Sequence, residues 1–205
     1  MKIPRLLSIK SLQKYFKTEQ PAFLSEHSTQ VCKLALEIFK QTKFLHNLGK
    51  KEKRILAYGA LLHDVGYAKD VMRHNKHSRD IILEMKLPRC SKKEQKMIAC
   101  IARYHRGTFP SPTHKVYREL NQKERRVVSI LSAIVRIADG LDYTHQSSVK
   151  EIIGKYNKEI NSLVFELTFK PGVSSYIDIE RGRNKADLFT HIFRIPVVIM
   201  EKKIA

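Results

Sequence analysis

Apolar residues recur at helical spacing from about residue 20 to residue 150 and then switch to every second position, and this change of period most restricts the fold. Val31, Leu34, Ala35 and Ile38 make one stripe, and Ile55, Leu56, Ala60 and Leu62 a second. Ile81, Ile82 and Met85 begin a third, Met97, Ile98 and Ile101 a fourth, and Val127, Val128, Leu131 and Val135 a fifth. Residues three and four apart share one helix face, so each segment has a single side to bury and the helices must bury it against one another. Breaks are expected at Asn47-Leu48-Gly49, at Leu87-Pro88 and after Gly107, where Pro110 and Pro112 forbid a continuing helix. Residues 107–123 are therefore read as a loop, placed to cover a site.

Beyond about residue 155, Leu163, Phe165, Leu167 and Phe169 alternate with Val164, Glu166, Thr168 and Lys170, the pattern of a strand buried on one face. Pro171-Gly172 makes a turn, and Tyr176–Glu180 alternates again. A short helix over Lys185–Phe193 and a last strand over Ile195–Met200 complete the chain. The expected fold class is mainly α: a helical bundle over residues 1–155, followed by a small α+β unit over 156–205 packed on it. The apolar strand face of that unit could be covered by the helical body or by a second copy in a homodimer.

At 42% hydrophobic and 29% charged, a chain of 205 residues can bury a sizeable core and is not of disordered composition. No apolar run approaches the ~20 residues of a membrane helix; IPVVIM is short and holds a proline. The basic N-terminus lacks both a continuous apolar stretch and a small-residue cleavage site, so no signal peptide is read. Cys32, Cys90 and Cys100 are odd in number and form no C-x-x-C pair, which fits reduced thiols and a cytoplasmic setting. The formal net charge of +19 attracts polyanions such as nucleic acid, nucleotides or polyphosphate. The basic residues are dispersed, however, and match no nucleic-acid-binding motif.

Ionisable residues interrupt the apolar stripes. His27 precedes Val31 and Leu34, His63 follows Leu56 and Ala60, and His77 precedes Ile81 and Met85. His105 follows Ile98 and Ile101, Asp139 follows Leu131 and Val135, and Asp64 adjoins His63. Burying such groups without partners costs several kcal/mol each. One buried histidine is readily satisfied by a carbonyl. A converging set is better satisfied by a shared cation, and imidazole with carboxylate suits Mn, Fe, Co, Ni or Zn, with Mg allowed. His74, three residues before His77, is an alternative ligand or a phosphate contact; His46, His114 and His191 fit no stripe and read as surface or loop residues. Asp142 is read either as orienting Asp139 or a bound water, or as a solvent-facing helix end.

The order H…HD…D resembles the HD superfamily of metal-dependent phosphohydrolases. LLHDVGY, NKHSRDII, ARYHRG, VRIADGLDYTH and ERGRNKADLF together resemble the C-terminal HD region of the exopolyphosphatase/guanosine pentaphosphatase (Ppx/GppA) family, over roughly residues 20 to 200. The resemblance implies His27, His63, Asp64 and Asp139 as metal ligands, with His77 and His105 as the further histidines of a dinuclear centre that Asp64 bridges. It implies attack of a metal-activated hydroxide on phosphorus, with Asp64 catalytic, and Arg106, Arg73 and Lys76, together with Arg79 and Arg103, as candidates to hold phosphoryl oxygens. Tyr67 stands where many HD hydrolases carry a lysine, and the actin-like domains of the Ppx/GppA family do not occur in these residues, so exopolyphosphatase activity is not carried over. The expected function is hydrolysis of a phosphomonoester or phosphodiester, foremost of a nucleotide, alarmone or cyclic-nucleotide hydrolysis included. The alternative is a non-catalytic module docking RNA, polyphosphate or a partner protein through its basic surface.

Overall fold

The computed structural model describes residues 24–202 and the isolated Lys14; the start of the expected helical domain lies outside the described residues. Helices α1 (Glu26–Gln41), α2 (Lys43–His46), α3 (Lys50–Leu61), α4 (His74–Glu84) and α5 (Lys92–Tyr104) come first, followed by α6 (Lys115–Arg118) and α7 (Gln122–Gly140). Strands β1 (Val149–Asn157) and β2 (Ser162–Phe169) follow, then α8 (Tyr176–Asn184), α9 (Asp187–Phe193) and β3 (Val197–Glu201). The fold is mainly α with a small C-terminal α+β unit.

Helix α7 forms the axis. From Val127 to Gly140 nearly every side is buried, as expected for a helix enclosed by others. Val31, Leu34 and Ile38 of α1, Ile55 and Leu56 of α3, and Ile98 and Ile101 of α5 join it in one core. The starts of α1, α5 and α7 carry reciprocal capping boxes at Ser25/Ser28, Ser91/Glu94 and Asn121/Glu124, each satisfying orphaned helix N–H groups.

In the sheet β2 is central, antiparallel to β1 and parallel to β3, and α8 and α9 form the crossover between the parallel strands. Leu163, Phe165 and Leu167 face the same core as the helices, so the body of this chain covers that strand face. The side-chain amide of Gln30 donates to the Val149 carbonyl and that of Gln41 to the Ile152 carbonyl, both at 2.7 Å, tying β1 to α1.

Two elements depart from the periodicity. Strand β1 escapes a search for alternation because a bulge between Val149 and Glu151 shifts its register. Residues 176–180 are helical: Asp178 and Ile179 are buried side by side while Tyr176 and Ile177 face solvent. The buried Asp178 carboxylate accepts hydrogen bonds from Thr144 N and Oγ1 at 3.0 and 3.1 Å and from the Ser148 hydroxyl, which anchors the loop after α7 to α8.

A buried arginine closes the C-terminal unit onto the bundle. Arg136 makes two parallel bonds of 2.9 and 2.7 Å to Asp187 and donates to the carbonyls of Tyr104 and Gly107. Arg136→Met leaves those acceptors without a donor and is expected to cost about 2 kcal/mol, discounted because Asp187 keeps solvent contact. Urea denaturation with an unchanged m-value checks this.

Candidate metal centre

The local sequence puts each candidate side chain at a helix end. His27 lies in the first turn of α1, His74 opens α4, His105 is the cap after α5, and Asp139 is next to last in α7. Helix α3 stops at Leu61, so His63 and Asp64 sit in the turn after it rather than on it. Gly66 makes that turn fit. A Cβ there would stand 2.5 Å from the His74 carbonyl and 2.4 Å from the Ser78 N, so only glycine lets the turn lie against α4.

Each histidine is held through Nδ1. His63 Nδ1 donates to the Ala60 carbonyl at 2.8 Å, His105 Nδ1 to Ala102 at 2.7 Å and His74 Nδ1 to Val71 at 2.7 Å. His27 Nδ1 donates to the fully buried Asp142 carboxylate at 2.8 Å, so Asp142 orients His27 and does not face solvent. Carbonyls and carboxylates only accept, so in each neutral ring the proton is on Nδ1 and the lone pair on Nε2.

These lone pairs converge. His27 Nε2 lies 3.3 Å from His63 Nε2, and His74 Nε2 lies 3.1 Å from His105 Nε2. Two acceptors so close repel unless a proton or cation stands between them. Imidazole nitrogens sharing a tetrahedral ion at bond lengths of about 2.0–2.1 Å are about 3.3–3.4 Å apart, close to these separations. Asp64 lies between the pairs: Oδ2 is 3.4 Å from His63 Nε2, and Oδ1 is 3.2 Å from His74 Nε2 and 3.5 Å from His105 Nε2. Oδ1 is buried without a hydrogen-bond partner. Asp139 Oδ1 is 3.3 Å from His27 Nε2. His27, His63 and Asp139 form one group with ligand atoms mutually within 4.8 Å, and His63, Asp64 and His105 a second. Buried acceptors without donors fit a divalent cation.

The electrostatics carry the same tension. Burial opposes charge on His27, but the Asp139 and Asp142 carboxylates lift it from the ordinary 6.5 to about 9. Burial, then His63, pushes His105 down to about 3. Asp64 is held well below the usual carboxylate range, against its burial, by His63; Asp139 is held down likewise by Lys185 and His27. A proton on His27 thus supplies the charge that a metal would. Because the folded value lies above the unfolded one, this proton stabilises the metal-free protein fully below pH 6.5, and the contribution is lost as pH rises toward 9. Metal affinity is expected to rise over the same window, with a proton released on binding. Thermal melts of chelated protein against pH, with calorimetry in buffers of differing ionisation heat, read both; melts flat from pH 6.5 to 9 would contradict the assignment.

His77 is not brought into the cluster. Its Nε2 faces Asp70 at 3.8 Å, and His74 occupies the place beside His105. Residues three apart share a helix face, and sequence alone does not choose between them. His46 is buried, bonded to the Phe39 carbonyl and accepting from Leu48 N; His114 bonds the Tyr104 hydroxyl.

A pocket of about 390 Å³ opens onto Asp64, His74, His105 and Asp139, with Arg106, Arg181 and Lys185 in its walls and Tyr67, Val71, Met72, Tyr143 and His145 completing them. Of the cations expected from sequence, only Arg106 lines it, its guanidinium 3.3 Å from His74 Nδ1. Arg73 and Lys76 are exposed outside the lining, Arg79 pairs with Asp80, and Arg103 lies against Tyr104. The 107–123 segment contains α6 and contributes nothing to the lining; it packs near Arg136 and His191 instead. Lys185, paired with Asp139, and Arg181 come from the C-terminal unit and escaped the sequence reading. His145 did too: held at φ +57°, it stacks on His27 with ring centroids 3.8 Å apart. Its signal, a histidine six residues beyond Asp139, has no periodicity to mark it.

Fold and site define a helical module whose helix ends present a buried histidine–carboxylate cluster at the floor of a cationic pocket. The sequence matches the family model described as Ppx/GppA phosphatase, domain III, over residues 5–181, and the chain belongs to that family. No curated protein matches it. No helix among the described residues is long and apolar enough to cross a membrane.

Proposed function

We propose that the protein is a metal-dependent phosphohydrolase acting on a phosphomonoester or phosphodiester of a nucleotide. The observation that carries this reading is the convergence of Nε2 lone pairs and the orphaned Asp64 Oδ1 on a pocket floor walled by cations. His27, His63, Asp64, His74, His105 and Asp139 would hold one or two divalent ions; Mn, Fe, Co, Ni and Zn suit this donor set.

When bound, such a metal supplies Lewis acidity toward phosphoryl oxygens and an acidified water as nucleophile. The protein's own residues do the rest. Asp142 fixes the His27 ring so that Nε2 faces inward, as the Ala60, Ala102 and Val71 carbonyls do for the other rings. Arg106, Arg181 and Lys185 place positive charge where a phosphoryl group gains negative charge in the transition state. The non-catalytic alternative of a polyanion-docking module draws only on the +19 charge, which speaks to association and not to this pocket.

The test is elemental analysis of purified protein, followed by turnover of nucleoside mono- and cyclic monophosphates before and after chelation. Bound transition metal with chelation-sensitive phosphate release is expected. A metal-free protein, still inert after addition of Mn, Co or Ni, would remove the hydrolase reading.

A further inference from the structure

The pocket has two unlike halves. One wall is cationic and comes from the C-terminal unit: Arg181 in α8 and Lys185 just after it, with Arg106 from the bundle also in the lining. The mouth is apolar: Tyr67, Val71 and Met72 line it with 46%, 51% and 78% of their surfaces exposed. Tyr67 also borders two neighbouring openings, beside Ser25 and beside His27, so its ring divides the entrances to Asp64. Large apolar side chains grouped at the mouth of a polar site mark a surface that is covered when a ligand binds.

The cationic wall is built rather than incidental. A Cβ on Gly140 would stand 2.6 Å from the Arg181 carbonyl, so the residue after Asp139 must be glycine for α8 to come this close to α7. That approach seats Lys185 on Asp139. Arg181 is propped over the Tyr143 ring at 4.3 Å, and no carboxylate lies within ion-pair distance of it among the described residues. Arg181 is thus a positioned guanidinium facing a pocket with no anion of the protein bound to it. Lys185 sits on Asp139 Oδ2 while Oδ1 faces His27, and its ammonium carries three N–H donors, so it can keep that carboxylate and still present a donor to the pocket.

Resting on the reading of the site as a metal-dependent phosphohydrolase, we propose that Arg181 and Lys185, with Arg106, form the clamp for the substrate's phosphate, and that Tyr67, Val71 and Met72 receive the base, so that the substrate is a nucleoside monophosphate. A planar guanidinium suits two phosphoryl oxygens at once, and a flat ring with flexible apolar neighbours suits a purine or pyrimidine face of either kind. The pocket volume of about 390 Å³ is of the size that holds one such molecule.

The experiment is calorimetric binding of inorganic phosphate, ribose 5-phosphate and adenosine monophosphate to manganese-loaded protein, the two esters used as their non-hydrolysable phosphonate analogues, with metal content and melting temperature recorded for each variant. Arg181→Met keeps the methylene stack on Tyr143 and removes the charge; it is expected to weaken all three probes about tenfold at unchanged metal content. Tyr67→Ala is expected to weaken adenosine monophosphate about tenfold, from loss of ring stacking, and to leave phosphate and ribose 5-phosphate as they were. Wild-type phosphate affinity in Arg181→Met overturns the clamp, and equal binding of ribose 5-phosphate and adenosine monophosphate by the wild type overturns the base shelf. A wild type that takes up manganese but binds no probe overturns the whole proposal and leaves the metal centre standing. A wild type that takes up no manganese brings down the hydrolase reading, and this proposal with it.

Discussion

Asp64→Ala is expected to strip the protein of bound metal and lower phosphate-ester turnover at least about a thousandfold. The size of the effect follows from position. The two Asp64 oxygens face different histidine pairs, Oδ2 toward His63 and Oδ1 toward His74 and His105, so one truncation removes a donor from both halves of the cluster. Oδ1 has no hydrogen-bond partner, but Oδ2 lies 3.4 Å from His63 Nε2 and, against its burial, the carboxyl is held low by that ring, so the metal-free variant should melt modestly below the metal-free wild type while still folding. Metal analysis beside turnover and thermal melts separates the roles. Activity retained with metal absent would place the chemistry elsewhere; a collapsed melting temperature would make Asp64 a structural residue.

The second large effect is a contrast between neighbours. His74→Ala is expected to lower metal affinity at the His105 side at least about a hundredfold, whereas His77→Ala leaves it within about twofold. His74 Nε2 stands 3.1 Å from His105 Nε2, while His77 turns to the half-exposed Asp70. Competition of each variant against a chromophoric chelator measures this directly. Equal losses in the two variants would mean that α4 presents His77 as well as His74 to the metal.

The burial of much of the candidate cluster is legible in the sequence because its residues lie on apolar stripes or directly continue them. His27 and Asp139 continue a run of buried aliphatics within their helices, and His63 and His105 follow theirs just past the helix end, where the buried face carries on into the turn. Strand β2 was legible for a similar reason, since Leu163, Phe165 and Leu167 alternate without interruption. Strand β1 was not, because its bulge breaks the alternation that the reading relies on. Residues 176–180 alternate like a strand in the sequence yet form helix α8, because a helix with only Asp178, Ile179 and Gly182 buried carries too few apolar residues to set a period.

What the sequence by itself determined, then, is a helical body with a small mixed unit behind it, and a set of ionisable groups that cannot be buried alone. Its hydrophobic periodicity and the cost of an unpaired buried charge were sufficient for that. The tertiary structure alone decided which histidine of the pair at 74 and 77 turns inward, through the backbone contact that Gly66 permits with α4. It alone brought Arg181 and Lys185 to the pocket, through the close approach of α8 to Gly140. Local pattern reports which face of a helix is buried, but the rotation of one helix against another and the meeting of residues more than a hundred positions apart are settled only where backbones touch.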